Sequence, residues 1–416
     1  MKMINEPAKE LPLVTETDVV VVGGGPGGII SAIASARTGA KTLLIERYGF
    51  VGGMATAGLM TSFNGFRNEH LPNHIQTVKG IAQELVDCLL DAGGACACTA
   101  HGNFGEMQKG TCPYAVSFDP EVLKHIALEM LCESGVQIML HTVFSNVMTD
   151  GRDVSAVIVE NKSGRQAIQG RLYIDATGDG DLCARANASY EKVEKTGERM
   201  MPMTLMYRVM GISKPASNEA RLWINGLTTR WGPGVGGVDG SQADDLTIAE
   251  IKARRALDEH IKGLKKEFPD VTLVETATMI GVRETRRIIG HYTITEDDAI
   301  SGRPQPDSIA VSSNPVPGYY GKRFFFEHLG FEIPYRSLVP VDLDNVLMAG
   351  RCISACQPAF QSARSMAPNM AISQASGTAG AMCALTNCKP ADLDVKSLQD
   401  KLEADGAIIR IPPEER

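Results

Sequence analysis

The sequence predicts an α/β fold in which a parallel sheet flanked by helices is interrupted by a smaller α+β unit. Residues 18–22 and 41–46 are apolar runs typical of strands buried on both faces, and a helix of small residues at 27–38 joins them. Turn signals at 150–151 and 163–164 predict an antiparallel meander between these elements and the rest of the sheet. From about 190 to 338 the chain is more polar, with two tryptophans, several arginines and proline-rich loops.

The remaining elements follow from their end signals. A helix around 81–94 closes on a glycine pair, and a helix at 119–135 begins with an Asp-Pro cap. A buried strand is predicted at 345–350, and a long helix of small residues begins near Pro368, which we place at its first position. The polar tail at 392–406 predicts an amphipathic outer helix.

The composition is that of a soluble globular protein of about two domains, with 416 residues, 44% of them hydrophobic, and a net charge of −8. The acidic balance argues against a nucleic-acid partner. The first residues hold no apolar run suited to a signal peptide, and glycines and Pro26 break the most apolar stretch, 19–36. Ten cysteines lack CxxC spacing, so we expect free thiols and no metal site. We therefore expect a cytoplasmic protein without nucleic-acid or membrane partners, and homo-oligomer formation stays open.

Residues 19–47 carry a dinucleotide fingerprint. Gly23, Gly25 and Gly28 have the G-x-G-x-x-G spacing, in which the first glycine makes a tight turn and the second admits a pyrophosphate. The third lets helix and strand pack closely, and the helix N-terminus faces the phosphate charge. Glu46 follows at the end of the second strand, where a carboxylate binds ribose hydroxyls. This pattern leaves NAD and FAD as alternatives.

A second match to the same spacing, GPGVGG at 232–237, lacks this context. It follows the polar segment 225–231 and leads into VDGSQADD, so neither a strand nor a helix flanks it. We predict a flexible loop there. The chain therefore offers one dinucleotide site, which disfavours a separate Rossmann domain for NAD(P)H.

Further motifs extend the match along the chain. The fingerprint is followed by ERYGFVGGMATAG at 46–58, IDATGDGDL at 174–182 and NVLMAGRCISA at 345–355, with GVRETRRIIG at 281–290 and IPYRSLVP at 333–340. In this order they resemble the FAD-dependent oxidoreductases related to the fumarate reductase and L-aspartate oxidase flavoproteins. The resemblance covers nearly the whole chain. It implies a glutathione-reductase-like FAD-binding Rossmann domain, β/β/α in three layers, with an inserted α+β substrate domain and FAD as cofactor.

The resemblance also implies how FAD is held. The backbone near Val143 meets the adenine, residues 52–56 run along the pyrophosphate and flavin, and Asp179 lies by the ribityl–phosphate region, with helix capping as its alternative. The amides at the start of the Pro368 helix point at the flavin N1–C2=O edge, and a buried helix without a ligand is compatible with that role. The implied cofactor-binding residues are Gly23, Gly25, Pro26, Gly27, Gly28, Glu46, Arg47, Gly52, Gly53, Met54, Ala55, Thr56, Val143, Thr177, Gly178, Asp179, Gly350, Arg351, Asn369 and Met370.

Residues 350–366 carry the part of the resemblance that concerns substrate binding. Arg364 matches an arginine that binds a substrate carboxylate in the resembled proteins, and Gln357 stands where they carry a histidine. Glutamine orients a polar substrate but is not a base near neutral pH, so we expect an altered reaction or a base from elsewhere. The CxxxC pair of Cys352 and Cys356 favours buried thiols over a redox dithiol or a covalent flavin anchor.

Arginines crowd the segment at 283–287. Arg283, Arg286 and Arg287 suit an anionic substrate, and Arg283 and Arg287 share a face if the segment is helical. Ion pairing with acidic neighbours or with the FAD phosphates is the open alternative. Arg336, beside Tyr335, is a further candidate. The catalytic candidates are thus Arg364, Gln357, Arg287, Arg283 and Arg336.

These motifs divide the chain and predict its function. We predict an FAD-binding domain of 1–75, 113–190 and 339–390, a substrate domain of 76–112 and 191–338, and a helical tail at 391–416. The predicted function is hydride transfer between flavin N5 and a small polar, carboxylated substrate, in a dehydrogenase or reductase. An oxygen-using oxidase or monooxygenase is one alternative. An electron-transfer subunit is another, which the absence of iron–sulfur cysteine spacing disfavours.

Overall fold

The computed structural model describes residues 3–4, 7–8, 10–68, 75–98, 104–105, 107–193, 201–212, 220–224, 227–317, 323–324 and 328–413. Its strands are β1 (Leu13–Val22), β2 (Thr42–Ile45), β3 (Ser62–Asn64), β4 (Ala95–Cys98), β5 (Phe104–Gly105), β6 (Ala115–Phe118), β7 (Gln137–Met139), β8 (Val143–Asp150), β9 (Asp153–Asn161), β10 (Gly164–Asp175), β11 (Tyr190–Lys192), β12 (Met203–Thr204), β13 (Tyr207–Met210), β14 (Ala220–Ile224), β15 (Leu227–Arg230), β16 (Gly234–Val235), β17 (Thr272–Thr276), β18 (Arg286–Ile288), β19 (Ser308–Ser312), β20 (Val316–Pro317), β21 (Arg323–Phe324), β22 (Phe331–Pro334) and β23 (Val346–Met348). Its helices are α1 (Pro26–Arg37), α2 (Ile81–Asp91), α3 (Pro120–Glu133), α4 (Asp181–Arg185), α5 (Ala243–Glu267), α6 (Glu296–Ser301), α7 (Gln357–Ala363), α8 (Met366–Thr386) and α9 (Val395–Ala404).

The central sheet is mainly parallel. Its parallel part runs in the order β7-β2-β1-β10-β23, and β9 and β8 continue from β10 as antiparallel strands. The long β10 belongs to both parts, because Gly164–Ile168 pairs with β9 while Tyr173–Asp175 pairs with β23. Side chains of β2 and β23, and of β1 from Val19 onward, are buried, as in a sheet covered on both faces. The α/β prediction with a parallel-rich sheet is confirmed.

Two predicted starts are wrong by a few residues, and one predicted loop contains a strand. β1 begins at Leu13 rather than 18, because β10 extends alongside it and pairs Leu13 with Ala167. α8 begins at Met366 with Ser365 as its N-cap, so Pro368 is its third residue; proline is tolerated there because first-turn amides have no acceptor within the helix. Within the predicted loop at 232–237, β16 pairs with β12.

Small residues bring α1 and α8 into close contact. Both helices lie against the parallel strands and against each other. The Ser31 hydroxyl donates to the Ser373 carbonyl at 2.9 Å, and a Cβ on Gly377 would lie 2.2 Å from the Ser31 carbonyl oxygen. This contact directs the N-termini of both helices to the carboxyl edge of the sheet.

Two large clusters of buried apolar side chains divide the described residues. The first surrounds the parallel sheet and includes Ile288, Ile309 and Phe331 from the C-terminal part of the predicted substrate domain. The second is formed by residues 203–282 with Leu59, and α5 covers it with Ala249, Ala253, Leu257 and Leu264. The division into domains stays a prediction.

Three general properties complete the description. No helix in the described ranges is long and apolar enough to span a membrane. The same ranges hold no group of three or more His, Cys, Asp or Glu side chains arranged for a metal ion. The nine cysteines whose side chains are described are free thiols.

The α1–α8 contact predicts that Gly377→Ala destabilises the protein. The added methyl group meets the backbone of α1, which cannot move without displacing the sheet, so we expect a loss of roughly 1–3 kcal/mol in the free energy of unfolding. Denaturant unfolding measures it. Gly263→Ala on α5 is the matched control, because no atom lies within 4 Å of its Cβ and alanine favours an exposed helix by about 0.5–1 kcal/mol. Equal stability of the two variants would contradict the close contact.

Candidate active site

A cavity of about 640 Å³ lies at the carboxyl ends of the parallel strands. Val22 and Ile45, the last residues of β1 and β2, line it, and so do Thr177 after β10 and Gly350 after β23. Open parallel sheets bind ligands at this edge, because the loops and helix N-termini that follow the strands converge there.

The glycine turn after β1 has the shape that a dinucleotide requires. Gly23 has φ +106°, and a Cβ there would lie 2.5 Å from the Ala176 carbonyl oxygen. A Cβ on Gly28 would lie 1.7 Å from the Gly23 carbonyl oxygen, so this glycine permits helix and strand to meet. Gly25 caps α1 without a side chain and borders the cavity, where its Cβ would approach nothing closer than the Gly53 Cα at 4.0 Å. The first-turn amides of α1 are therefore exposed to an anion.

Backbone amides hold the Glu46 carboxylate at the end of β2. Oε2 accepts a hydrogen bond from the Gly24 amide at 2.7 Å, and Oε1 accepts one from the Tyr48 amide at 2.9 Å. Arg47 follows it, exposed, and donates to the Met279 sulfur at 3.3 Å. Glu46 and Arg47 line the cavity.

Asp179 is an ion-pair acceptor rather than a helix cap. Its Oδ1 accepts hydrogen bonds from Arg351 Nη2 at 2.9 Å and from the Thr285 hydroxyl at 2.8 Å. α4 is capped by Gly180, without a side-chain bond, and Asp181 in its first turn pairs with Arg286 at 2.8 Å. The positive charge of Arg351 is thereby compensated within the protein.

Buried protonatable groups lie next to this edge of the sheet. Asp175 Oδ1 accepts from the Thr177 hydroxyl at 2.7 Å and Oδ2 from the Cys183 amide at 2.9 Å, while burial raises the pKa of its carboxyl. Burial also raises the pKa of the Cys352 thiol and that of the Cys356 thiol. Both cysteines therefore stay protonated near neutral pH, which favours buried thiols over a redox pair.

The N-terminus of α8 forms another wall. Ser365 caps the helix without a side-chain hydrogen bond, and Met366 and Asn369 line the cavity beside it. Asn369 is buried, and its Nδ2 has no hydrogen-bond partner within the described ranges. A buried amide without an acceptor is unfavourable, so this position fits a ligand that supplies one.

Most residues implied to bind the cofactor lie on the cavity wall. Those lining it are Gly23, Gly25, Pro26, Gly27, Glu46, Arg47, Gly53, Met54, Val143, Thr177, Gly178, Asp179, Gly350, Arg351 and Asn369. Those outside the lining set are Gly28, Gly52, Ala55, Thr56 and Met370. Thr56 donates its hydroxyl to the Val51 carbonyl at 3.0 Å, and Met370 is buried in the core, so both support the wall from behind.

Arg364 reaches the cavity as a cation that is paired with no carboxylate of the described residues. Its Nε donates to Gln361 Oε1 at 2.8 Å and its Nη2 to the Met201 sulfur at 3.2 Å, and it forms no ion pair with any described residue. Burial and repulsion by Arg283 and Arg351 lower the pKa of Arg364 to about 10, against the opposite effect of Glu284. The guanidinium is therefore charged at neutral pH and favours an anionic ligand.

Arg283 reaches the same cavity, but Arg287 does not. Arg283 donates to the Thr204 hydroxyl at 3.1 Å and lies 4.7 Å from the centre of the Trp231 ring. The segment is not helical, because Arg283 precedes strand β18 and Arg287 lies within it, so the condition for a shared helical face is not met. Arg287 instead pairs with Glu191 at 3.3 Å, away from the cavity lining.

Two more catalytic candidates lie outside the lining. Arg336 pairs with Asp307 at 3.2 Å and stacks over the Tyr292 ring. Gln357 is the first residue of α7 and donates to Glu284 Oε2 at 3.5 Å. The structure therefore does not bring either side chain to the site where a substrate would contact it.

Several wall residues escaped the sequence analysis. Tyr114 donates its hydroxyl to Asn314 Oδ1 at 2.7 Å, and both line the cavity although 200 positions separate them. Nothing in their local sequence marks them. The sequence could have indicated Gln361. It lies three residues before Arg364 at the end of α7, and side chains three residues apart on a helix are neighbours.

The comparison with protein families decides the assignment. The model of the family described as FAD dependent oxidoreductase matches residues 18–231 and 217–402. The chain belongs to the FAD-dependent oxidoreductase family. Its cofactor is FAD, and it is an enzyme of the oxidoreductase class. This confirms the cofactor and the broad part of the sequence resemblance.

Curated relatives match over short stretches. Dihydrolipoyl dehydrogenase 1 of Arabidopsis thaliana is 30% identical over 112 residues, 25% of this chain and 22% of that protein. Leghemoglobin reductase of Glycine max is 58% identical over 38 residues, 9% of this chain and 7% of that protein. The matched segments thus span about a fifth or less of these relatives' lengths.

Solved structures share the fold at low identity. The p-nitrophenol 4-monooxygenase PnpA of Pseudomonas putida has a TM-score of 0.52 at 13% identity, covering 96% of this chain and 91% of that chain. The myxobacterial chondrochloren halogenase CndH has a TM-score of 0.52 at 16% identity, covering 94% and 79%. These likenesses concern the fold.

The cavity residues fit FAD. Gly25 and the α1 amides suit the pyrophosphate, Glu46 suits the adenosine ribose, and the unpartnered Asn369 Nδ2 offers a donor beside the start of α8. FAD supplies hydride acceptance and donation when bound.

The shape at Gly25 predicts that Gly25→Ala removes cofactor without unfolding the protein. Gly25 has φ −70° and ψ −178°, which alanine adopts freely, and its Cβ projects into open cavity. We expect FAD affinity to fall at least about tenfold, because the methyl group occupies space that the pyrophosphate needs. FAD content and equilibrium dialysis measure this, with Gly236→Ala as control because no atom lies within 4 Å of its Cβ. Full FAD retention by Gly25→Ala would place the pyrophosphate elsewhere.

Proposed function

We propose that this protein is a dehydrogenase or reductase that exchanges a hydride between FAD and a small carboxylated substrate. The observation that carries the proposal is Arg364, a partly buried guanidinium on the cavity wall without an ion-pair partner in the described chain. Keeping such a cation out of water is costly unless an anion joins it. A substrate carboxylate supplies that charge.

The surroundings of Arg364 support a small anionic substrate. Arg283 adds a second positive charge to the wall, and the hydroxyl of Tyr114 and the amide of Asn314 add polar groups. Met201 and Trp231 supply apolar surface beside the two arginines. The motifs that resemble fumarate reductase and L-aspartate oxidase agree with a carboxylate ligand.

The proposed role of Arg364 is to bind and orient the carboxylate. A planar guanidinium holds a carboxylate through two parallel hydrogen bonds, which fixes the direction of the substrate as well as its position. Arg283 strengthens the local positive potential. Arg351 contributes less, since Asp179 compensates its charge at 2.9 Å.

Replacing Arg364 tests this function. Arg364→Ala should weaken binding of an active carboxylate about 10- to 100-fold, the range for losing a charged hydrogen bond, while FAD content stays at the wild-type level. Candidate carboxylates are found by anaerobic bleaching of bound FAD, and the apparent affinity of an active one is then compared. Arg165→Ala is the matched control, because that arginine forms a surface pair with Glu160 at 3.8 Å. If Arg364→Ala and Arg165→Ala bind the active carboxylate with equal affinity, the proposal is wrong.

Reaction with oxygen separates this function from its main alternative. We expect the reduced, substrate-bound enzyme to react slowly with O₂, and stopped-flow absorbance measures that rate. Hydride exchange between FAD and the substrate transfers no oxygen atom, so a dehydrogenase or reductase does not need a fast reaction with O₂. Rapid reoxidation together with incorporation of labelled oxygen into product would instead identify a monooxygenase.

A further inference from the structure

Glu284 is a buried carboxylate that lies directly behind the side chains that line the cavity. Its Oε1 accepts from the Met201 amide at 2.6 Å, and its Oε2 accepts from Gln361 Nε2 at 2.8 Å and from Gln357 Nε2 at 3.5 Å. Glu284 does not line the cavity and forms no ion pair within the described ranges. All three of these groups donate, so the carboxylate serves as an acceptor.

This arrangement fixes the orientation of the Gln361 amide. An amide side chain has a donating NH₂ end and an accepting oxygen end. Because Glu284 only accepts, the NH₂ end of Gln361 faces it, and Oε1 faces Arg364 Nε at 2.8 Å. A reversed amide would place two acceptors together at Glu284 and two donors together at Arg364.

The same carboxylate controls the other acceptor of Arg364. Arg364 Nη2 donates to the Met201 sulfur at 3.2 Å, and the Met201 amide is held by Glu284 at 2.6 Å. A thioether sulfur is a weak acceptor, so a carboxylate ligand replaces it at little cost. When a carboxylate replaces the sulfur at Nη2, Gln361 Oε1 still accepts the hydrogen bond from Arg364 Nε.

We propose that Glu284 is a positioning residue that orients Arg364 through Gln361 and Met201 for binding a substrate carboxylate. This rests on the proposed function of Arg364. Gln361 acts as a neutral spacer: it transmits the orientation set by Glu284 but keeps the negative charge out of contact with the guanidinium. A carboxylate touching Arg364 directly would compete with the substrate for the same N–H groups.

Two substitutions separate orientation from charge. Glu284→Gln keeps the size of the side chain but lets the Gln361 amide reverse, so we expect carboxylate affinity to fall about tenfold. Gln361→Glu retains Glu284 and places a carboxylate against Arg364, so we expect a loss of about 100-fold, comparable with Arg364→Ala. Glu129→Gln is the control, since that side chain is exposed on α3.

The measurement uses the FAD-loaded enzyme and a defined probe. Acetate, benzoate, malonate and succinate are titrated against the visible absorption of bound FAD, and the tightest one is compared with its neutral amide. An orienting role weakens the acid selectively, whereas general loosening of the site weakens acid and amide alike. FAD content and the melting temperature are recorded for every variant.

Each outcome bears on one claim. If Arg364→Ala weakens the acid but Glu284→Gln and Gln361→Glu bind it like wild type, Glu284 does not position Arg364, and the proposed function stands. If Arg364→Ala also binds like wild type, or if no acid binds, the proposed function fails with it. Should Glu284→Gln lose FAD or fold poorly, Gln361→Leu decides, because it breaks the link from Glu284 to Arg364 without adding a charge: selective loss of the acid supports the inference, and unchanged binding overturns it.

Discussion

The contact between α1 and α8 places both halves of the active site. Ser31 in α1 donates to the Ser373 carbonyl, and Gly377 leaves room for the Ser31 backbone. With the helices this close, the glycine turn before α1 and the start of α8 face one cavity. α7 ends immediately before α8, so the same packing brings Arg364 to the wall. The glycine turn and Arg364 thus depend on one helix pair, and a shift of either helix moves both.

Charge is distributed unequally along this cavity. At the dinucleotide end lie backbone amides, the Glu46 carboxylate and the exposed Arg47 guanidinium, while the Arg351 guanidinium is paired with Asp179. Toward the end of α7, Arg364 keeps a net positive charge, because its direct acceptors are the neutral Gln361 and Met201. Helix N-termini hold phosphates without a full cation.

Sequence reasoning located the parts of the site that depend on local pattern. The glycine turn, Glu46 and Asp179 follow strands directly, so the order of motifs predicts that they meet at one sheet edge. It did not separate Arg287 from Arg283, because Arg283 lies before a strand of only three residues, two of them arginines, and no apolar periodicity marks the conformation of this segment. Tyr114 and Asn314 come from distant segments, and no local signal could pair them.

The glutamine at position 357 acquires a physical explanation away from the substrate. Gln357 lies outside the cavity lining and donates to Glu284, the carboxylate that also holds Gln361. Gln357 is the more distant of two donors to Glu284 Oε2, at 3.5 Å against 2.8 Å for Gln361, so it adds to an acceptor that already has a donor. The side chain at position 357 therefore contacts Glu284 behind the wall and does not reach the cavity.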